Sequence, residues 1–121
     1  MTASRPDAVF ADLLDERVSQ ARDQQAALST AIAEMRAARS LTSADDEHDP
    51  EGSTVSLDQA RDVALLDRIE RTLAELLAAR ERLAAGTYGL CERCGRAIAT
   101  ERLLARPVAR RCVPCSRPGR G

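Results

Sequence analysis

Apolar side chains recur along this chain with the period of a helix seam. Leu14, Val18, Ala21, Gln25, Leu28, Ile32 and Met35 are separated by 4, 3, 4, 3, 4 and 3 residues, with Gln25 the one polar member. A second series, Leu66, Ile69, Leu73, Leu76, Arg80 and Leu83, runs 3, 4, 3, 4 and 3, with Arg80 as its exception. Alternating steps of three and four keep one face of an α-helix apolar, as at the a and d positions of a coiled coil. The aliphatic stem of Arg80 can lie along such a seam while its guanidinium stays in water. Ser4 and Asp7 suit the start of the first helix, with Pro6 tolerated in its first turn. Ser56 and Gln59 form a capping box for the second, with Val55 placed to staple onto Ala60, and Gly86 suits a left-handed helix end. Between the helices lies LTSADDEHDPEGSTV, residues 41–55, with five acidic residues, Pro50 and Gly52, and no helix is expected to cross it. Two stripes joined by a short polar turn bury each other by folding back antiparallel. The pattern therefore predicts a mainly α protein whose residues 1–87 form an antiparallel two-helix coiled-coil hairpin. Its expected length is about 45–50 Å at ~1.5 Å per residue, with an acidic tip at 41–55.

The helical pattern stops at Gly86, and all four cysteines follow it. They come as Cys91-x-x-Cys94 and Cys112-x-x-Cys115, with seventeen residues between the pairs. That spacing matches a four-thiolate zinc site, each pair gripping the ion from one tight turn. Gly95 directly follows Cys94 and gives that turn the backbone freedom to aim amides at the sulfurs. Four ligands fill a tetrahedron and leave no position for water, so the expected cofactor is one structural Zn2+. The thiolates and the ion together carry −2, which Arg93, Arg96, Arg110 and Arg111 can offset. Residues 88–116 are thus expected to form a C-terminal four-cysteine zinc finger, followed by a flexible tail at 117–121. With few aromatics the finger is expected to have almost no core of its own and to draw much of its folding energy from the metal. The bland alternatives are two disulfides or a thiol redox pair; both fit poorly with a sequence lacking a strand–helix redox pattern.

Composition changes this picture in two respects. Aromatic residues are 2% of the 121, one Phe and one Tyr, which suits an elongated helical body better than a compact globule. The net charge of −1 hides an asymmetry. Residues 1–91 hold 10 Arg against 17 acidic residues, whereas 92–121 hold 8 Arg against 2. An acidic body with a basic end implies two contact surfaces. No apolar run approaches the ~20 residues of a membrane span, and acids stand where a signal peptide would have its apolar core. A cytoplasmic, non-membrane location is expected, where paired thiols serve as metal ligands more often than as disulfides.

The segment LAAGTYGLCERCGRAIATERLLARPVARRCVPC resembles the zinc-finger region of the DksA/TraR family of bacterial transcription regulators. The family pattern is matched at Gly86, Tyr88, Gly89, Cys91, Cys94, Gly95, Ile98, Arg102, Leu103, Ala105, Pro107, Cys112 and Cys115. The resemblance implies a protein that binds RNA polymerase directly rather than a DNA sequence. Its finger would dock at the rim of the enzyme's secondary channel and its coiled coil would reach inward. The tip residues would then be Asp45, Asp46, Glu47, Asp49 and Glu51, placed near basic groups or Mg2+ of the catalytic centre. The departures are specific. Aligning the family's Asp-x-x-Asp-x-Ala tip on Asp49 puts Gly52 at the second Asp and Thr54 at the Ala. Some members bind guanosine tetraphosphate at the polymerase interface through basic residues. Arg106 fits that pattern as a polymerase or alarmone contact, whereas Glu75 and Ser116 stand where basic residues are expected.

Two other classes compete with a polymerase-binding regulator. A zinc finger could bind nucleic acid through Arg102, Arg106, Arg110, Arg111, Arg117 and Arg120, since Arg readily meets phosphate. The Arg-rich stretch from Arg102 to Arg120 lacks aromatics for base stacking and any evident reading helix, so sequence-specific DNA binding is not expected. A coiled-coil adaptor with the finger as a mere plug is the other. An enzyme is not expected, because one His, no nucleophile–base set and no Gly-rich phosphate loop are present. His48 reads as a solvated loop residue.

Overall fold

The computed structural model of the chain describes residues 7–42 and 51–117, with the side chains of 42 and 51–56 outside that description. Four helices follow one another: α1 (Asp7–Thr42), α2 (Glu51–Ala85), α3 (Thr100–Ala105) and α4 (Val113–Ser116). Among the described residues no strand forms; a single antiparallel bridge pairs Leu90 with Ala97. The two long helices pack together, and the chain divides into two compact units. Residues 1–19 and 74–121 make one, which we call the base; residues 20–73 make the other, which we call the arm.

In the base, Phe10, Leu14, Ile98 and Leu103 are the largest fully buried side chains, joined by Val18, Leu76, Ala79, Tyr88 and Ala109. Burial of each large side chain stabilises by roughly 1.5–3 kcal/mol. The finger is therefore not without a core, as its composition suggested. It contributes Tyr88, Ile98 and Leu103 to a core completed by the first turns of α1 and the last turns of α2. Phe10 extends the α1 series by one step of four beyond Leu14 and meets Tyr88 ring to ring, with centroids 5.3 Å apart at 51°. Tilted aromatic pairs of this kind add to simple area burial.

In the arm, the expected seam positions lie inward but shallowly. Ala21 and Ile32 are buried, whereas Gln25, Leu28, Met35, Leu66, Ile69 and Leu73 are half-buried. Gln25 is satisfied across the seam, donating from Nε2 to Glu70 Oε2 at 3.2 Å. Arg39 Nη1 similarly donates to Gln59 Oε1 at 2.8 Å.

The expected helix limits are corrected. The helices extend into the acidic stretch from both sides, α1 through Thr42 and α2 from Glu51, so Ser56 lies inside α2 and does not cap it. Once a helix is nucleated each added residue gains a hydrogen bond, and the propensity penalties of Gly, Ser and Thr stay below about 1 kcal/mol apiece. Residues 43–50 lie outside the described residues, as do Ser4 and Pro6; α1 opens at Asp7. Arg80, the exception in the second series, keeps its guanidinium in water as expected. It pairs with Asp15 of α1, Nε to Oδ1 at 3.2 Å, its side chain 43% exposed, and Ala79 beside it is fully buried. A small side chain there lets the helices of the base approach closely. Gly86 does end α2 in the left-handed region, at φ +83°.

Candidate metal centre

The first cysteine pair is presented by a sequence of turns. After α2 the carbonyl of Arg82 accepts from the amides of Thr87 at 2.9 Å and Tyr88 at 3.1 Å, turning the chain back on itself. Tyr88 is fixed at both ends: its ring stacks against Phe10, and its hydroxyl donates to the Pro107 carbonyl at 2.9 Å. Ile98 N–H donates to the Gly89 carbonyl at 2.7 Å, and Cys91 N–H donates to that of Arg96 at 2.8 Å. This short ladder closes the knuckle. Gly95, at φ +77°, donates its amide to the Cys91 carbonyl at 2.8 Å, and no neighbour stands within 4 Å of a Cβ placed there. Its role is conformational, not one of space.

The second pair follows α3. Leu103 anchors α3 in the core, and Ala109 is buried on the way to Cys112. Cys112 is the residue before α4, whose first turn contains Pro114, and the Cys112 carbonyl accepts from Ser116 N–H at 3.0 Å. Proline suits a first helical turn because its missing N–H would be unpaired there anyway. The two knuckles meet directly. Glu92 N–H donates to the Arg110 carbonyl at 2.8 Å, and Arg111 Nε donates to Glu92 Oε2 at 3.2 Å.

Cys91, Cys94, Cys112 and Cys115 bring their sulfurs within 4.8 Å of one another. All four are free thiols, and the 3.8 Å between Cys94 Sγ and Cys112 Sγ is far beyond a disulfide bond of about 2.05 Å. A zinc ion at about 2.3 Å from each of four tetrahedral sulfurs sets them about 3.8 Å apart, so the donor set fits one zinc ion in both chemistry and spacing. Burial is graded across the set. Cys91 is buried, Cys112 and Cys115 are half-buried, and Cys94 is exposed.

The electrostatics of the bare cluster show why a cation suits it. Burial pushes the Cys91 thiol up, but backbone hydrogen bonds from Cys94, Cys112 and Arg93 together outweigh this and bring it down to about 6. Cys115 is pushed up to about 12, first by its hydrogen bond with Cys112 and then by burial. The surroundings thus favour the thiolate at Cys91 and the thiol at Cys115. A divalent cation favours the thiolate at both. Nearby, burial and then Arg110 hold the Arg82 guanidinium below its usual range, and its Nη2 is buried with no hydrogen-bond partner.

The structure brings together all four cysteines foreseen from the sequence. Asp45, Asp46, Glu47 and Asp49 lie outside the described residues, and Glu51 opens α2. Arg106 is exposed at the end of α3, its amide bonded to the Arg102 carbonyl at 2.7 Å. Phe10 escaped the sequence pattern, its signal being the step of four from Leu14; Arg102, matched to the family pattern and counted among nucleic-acid contacts, instead bonds the Arg111 carbonyl at 2.9 Å.

These features define a class: a helical hairpin protein with a C-terminal four-cysteine zinc finger. Residues 86–118 match the family model of the prokaryotic dksA/traR C4-type zinc finger. The fold is similar to that of transcription factor DksA2 from Pseudomonas aeruginosa, with a TM-score of 0.78 over 90% of this chain and 78% of that one, at 24% identity. An uncharacterized protein of Aquifex aeolicus (strain VF5) is 45% identical over 56 residues, 43% of this chain. The match spans 39% of that relative's length, well short of two thirds.

Proposed function

We propose that this chain is a transcription regulator that binds RNA polymerase directly. In this reading the finger docks at the rim of the enzyme's secondary channel, and the α1–α2 hairpin enters it. The carrying observation is the match of residues 86–118 to the dksA/traR finger; the fold likeness to a transcription factor over 90% of the chain supports it. Cys91, Cys94, Cys112 and Cys115 ligate one structural Zn2+, which holds the finger in shape for docking and takes no part in chemistry. Asp45, Asp46, Glu47, Asp49 and Glu51 act at the hairpin's acidic end, where carboxylates meet basic groups or Mg2+ of the polymerase. Arg106 serves as a polymerase contact. Of the three positions that the family resemblance ties to guanosine tetraphosphate, it alone is basic, so the alarmone is not part of this reading.

The test is capture of RNA polymerase from the native host by the tagged chain, with and without zinc. Zinc-dependent capture is expected; no capture in either condition sinks the proposal. Reversing the charges of Asp45, Asp46, Glu47 and Asp49 should then abolish the effect on transcription while leaving most binding. Equal loss of both would reduce the acidic end to a docking surface. Tight, steeply salt-dependent binding of DNA by the isolated protein would instead favour a nucleic-acid role for the finger's arginines.

A further inference from the structure

Apart from contacts of the sulfurs themselves, two bonds join the knuckles and a third joins the second knuckle to α3, and they differ in what they can determine. The Glu92 amide to the Arg110 carbonyl is a backbone bond, open to any residue with an N–H at position 92. The Glu92–Arg111 ion pair joins side chains each 47% exposed, where water and salt leave little of the attraction. Arg102 is another matter. Its bond is exposed too, but it has a fixed backbone acceptor and an anchored donor. Arg102, itself half-buried, stands on α3 directly before the fully buried Leu103, and its Nε donates at 2.9 Å to the carbonyl of Arg111, the residue immediately before Cys112. That one bond ties the entrance of the second knuckle to α3, which Leu103 anchors in the core of the base.

We propose that Arg102 is a positioning residue of the metal centre: its Nε–H, bonded to the Arg111 carbonyl, holds the Cys112–Cys115 knuckle where its sulfurs face those of Cys91 and Cys94. The proposal rests on the reading that these four cysteines ligate zinc. Zinc has no geometric preference from its d-electrons, so the protein must fix where the sulfurs stand. Groups that orient ligands from outside the coordination shell commonly change metal affinity 10–100-fold when removed. A guanidinium also carries charge toward thiolates, and the two roles separate chemically. Gln places its Nε2 the same number of bonds from Cα as Arg places Nε, so Arg102→Gln keeps the donor and loses the charge. Arg102→Met keeps the length and loses both.

Zinc affinity of the full chain is measured by competition with a chromophoric chelator, and ligand geometry by the ligand-field absorption of the cobalt(II)-loaded protein. Arg102→Met should weaken zinc binding about tenfold or more and alter the cobalt bands, while Arg102→Gln stays within about threefold of the unaltered protein with unchanged bands. Arg93→Met, which removes a charge between two ligands, should leave the cobalt bands unchanged. If Arg102→Gln is as weak as Arg102→Met, or Arg102→Met binds zinc normally, the positioning role is overturned. If the unaltered protein takes up no zinc at all, the metal reading itself fails. Should Arg102→Met not fold, nitrogen-15 NMR of the unaltered zinc-loaded protein decides. A slowly exchanging Arg102 Nε–H is expected; exchange at the rate of a free arginine overturns the proposal.

Discussion

The same two helices are stabilised in different ways in the two units. In the base, the finger closes over α1 and α2 as a third layer, so large side chains such as Phe10, Leu14, Ile98 and Leu103 are enclosed on every side. In the arm, α1 and α2 have only each other. Two cylinders touching along a line leave the flanks of most seam residues in water, which is why Leu28, Met35, Leu66, Ile69 and Leu73 are only half-buried, with Ala21 and Ile32 the covered exceptions. Val63 and Leu65, at 41% and 42% exposure, flank that seam without cover. Charge divides the same way: 12 Arg and 8 acidic residues fall in the base, 6 Arg and 11 acidic residues in the arm. A coiled-coil pattern alone thus specifies pairing, whereas depth of burial depends on a third element.

The largest effect expected from this contrast is confined to one unit. Removing zinc, or making Cys94→Ser, should strip amide-exchange protection from the turn Cys91–Arg96 and from the Cys112–Ser116 knuckle, while the helices of the arm keep theirs. Residue-resolved hydrogen exchange checks this. Uniform loss in both units would mean that the contrast does not extend to stability. Acidity acts on the same site with a definite sign. In the bare cluster Cys115, pushed up to about 12, is protonated throughout the neutral range, so zinc must displace its proton and affinity rises with pH there. Cys91, lowered to about 6, adds to this pH dependence only below that value. Calorimetry in buffers of different ionisation enthalpy would count the protons released.

Core truncation ranks next. Phe10→Ala should cost about 3–5 kcal/mol, since it empties an enclosed site and removes the partner of Tyr88. Leu28→Ala in the half-buried seam should cost less than about 2 kcal/mol. Denaturant unfolding followed by circular dichroism suits a chain without tryptophan. Equal costs at the two positions would show that the arm is packed more tightly than its exposure implies.

Much of this was legible in the sequence, because the signals involved are periodic or chemical. The seam spacings identified both long helices, and two Cys-x-x-Cys pairs identified the metal site without reference to fold. Gly86 and Gly95 were readable because only a left-handed turn explains a glycine at those places, and both have positive φ. What escaped depends on contacts between distant segments. Nothing local to Phe10 announces that Tyr88 will meet it. Nothing in the step from Leu76 to Arg80 shows that Ala79 will be the residue that faces inward. The start of α2 was misplaced for a related reason: a capping box at Ser56 is a real local preference, but helix propagation from a packed segment overrides it.

Smaller effects can sharpen the comparison within the base itself. Gly86→Ala and Gly95→Ala each force a side chain into the left-handed region, at φ +83° and +77°, and neither added Cβ meets an atom within 4 Å. Each should cost about 1–2 kcal/mol from backbone strain alone. A larger zinc-affinity loss for Gly95→Ala than for Gly86→Ala would show that the strain is transmitted to Cys91 and Cys94 and not merely absorbed by the turn.

The smallest effect separates two accounts of one residue. Arg80 interrupts an apolar series; its stem was expected to lie along the seam with the guanidinium in water, and that guanidinium is bonded to Asp15, with side chains 43% and 61% exposed. An ion pair so open to water contributes at most about 1 kcal/mol, and at 1 M salt, where the screening length is about 3 Å, almost nothing. Arg80→Met keeps the aliphatic stem and removes the charge. If the pair is what Arg80 contributes, this change costs a few tenths of a kcal/mol at low salt and nothing at 1 M, and Asp15→Asn gives the same loss without adding to it in the double variant. Arg80→Ala should then cost no more than Arg80→Met. A further loss for Ala that persists at 1 M salt would set the stem along the seam and place Arg80 beside Ala79 as part of the base's packing.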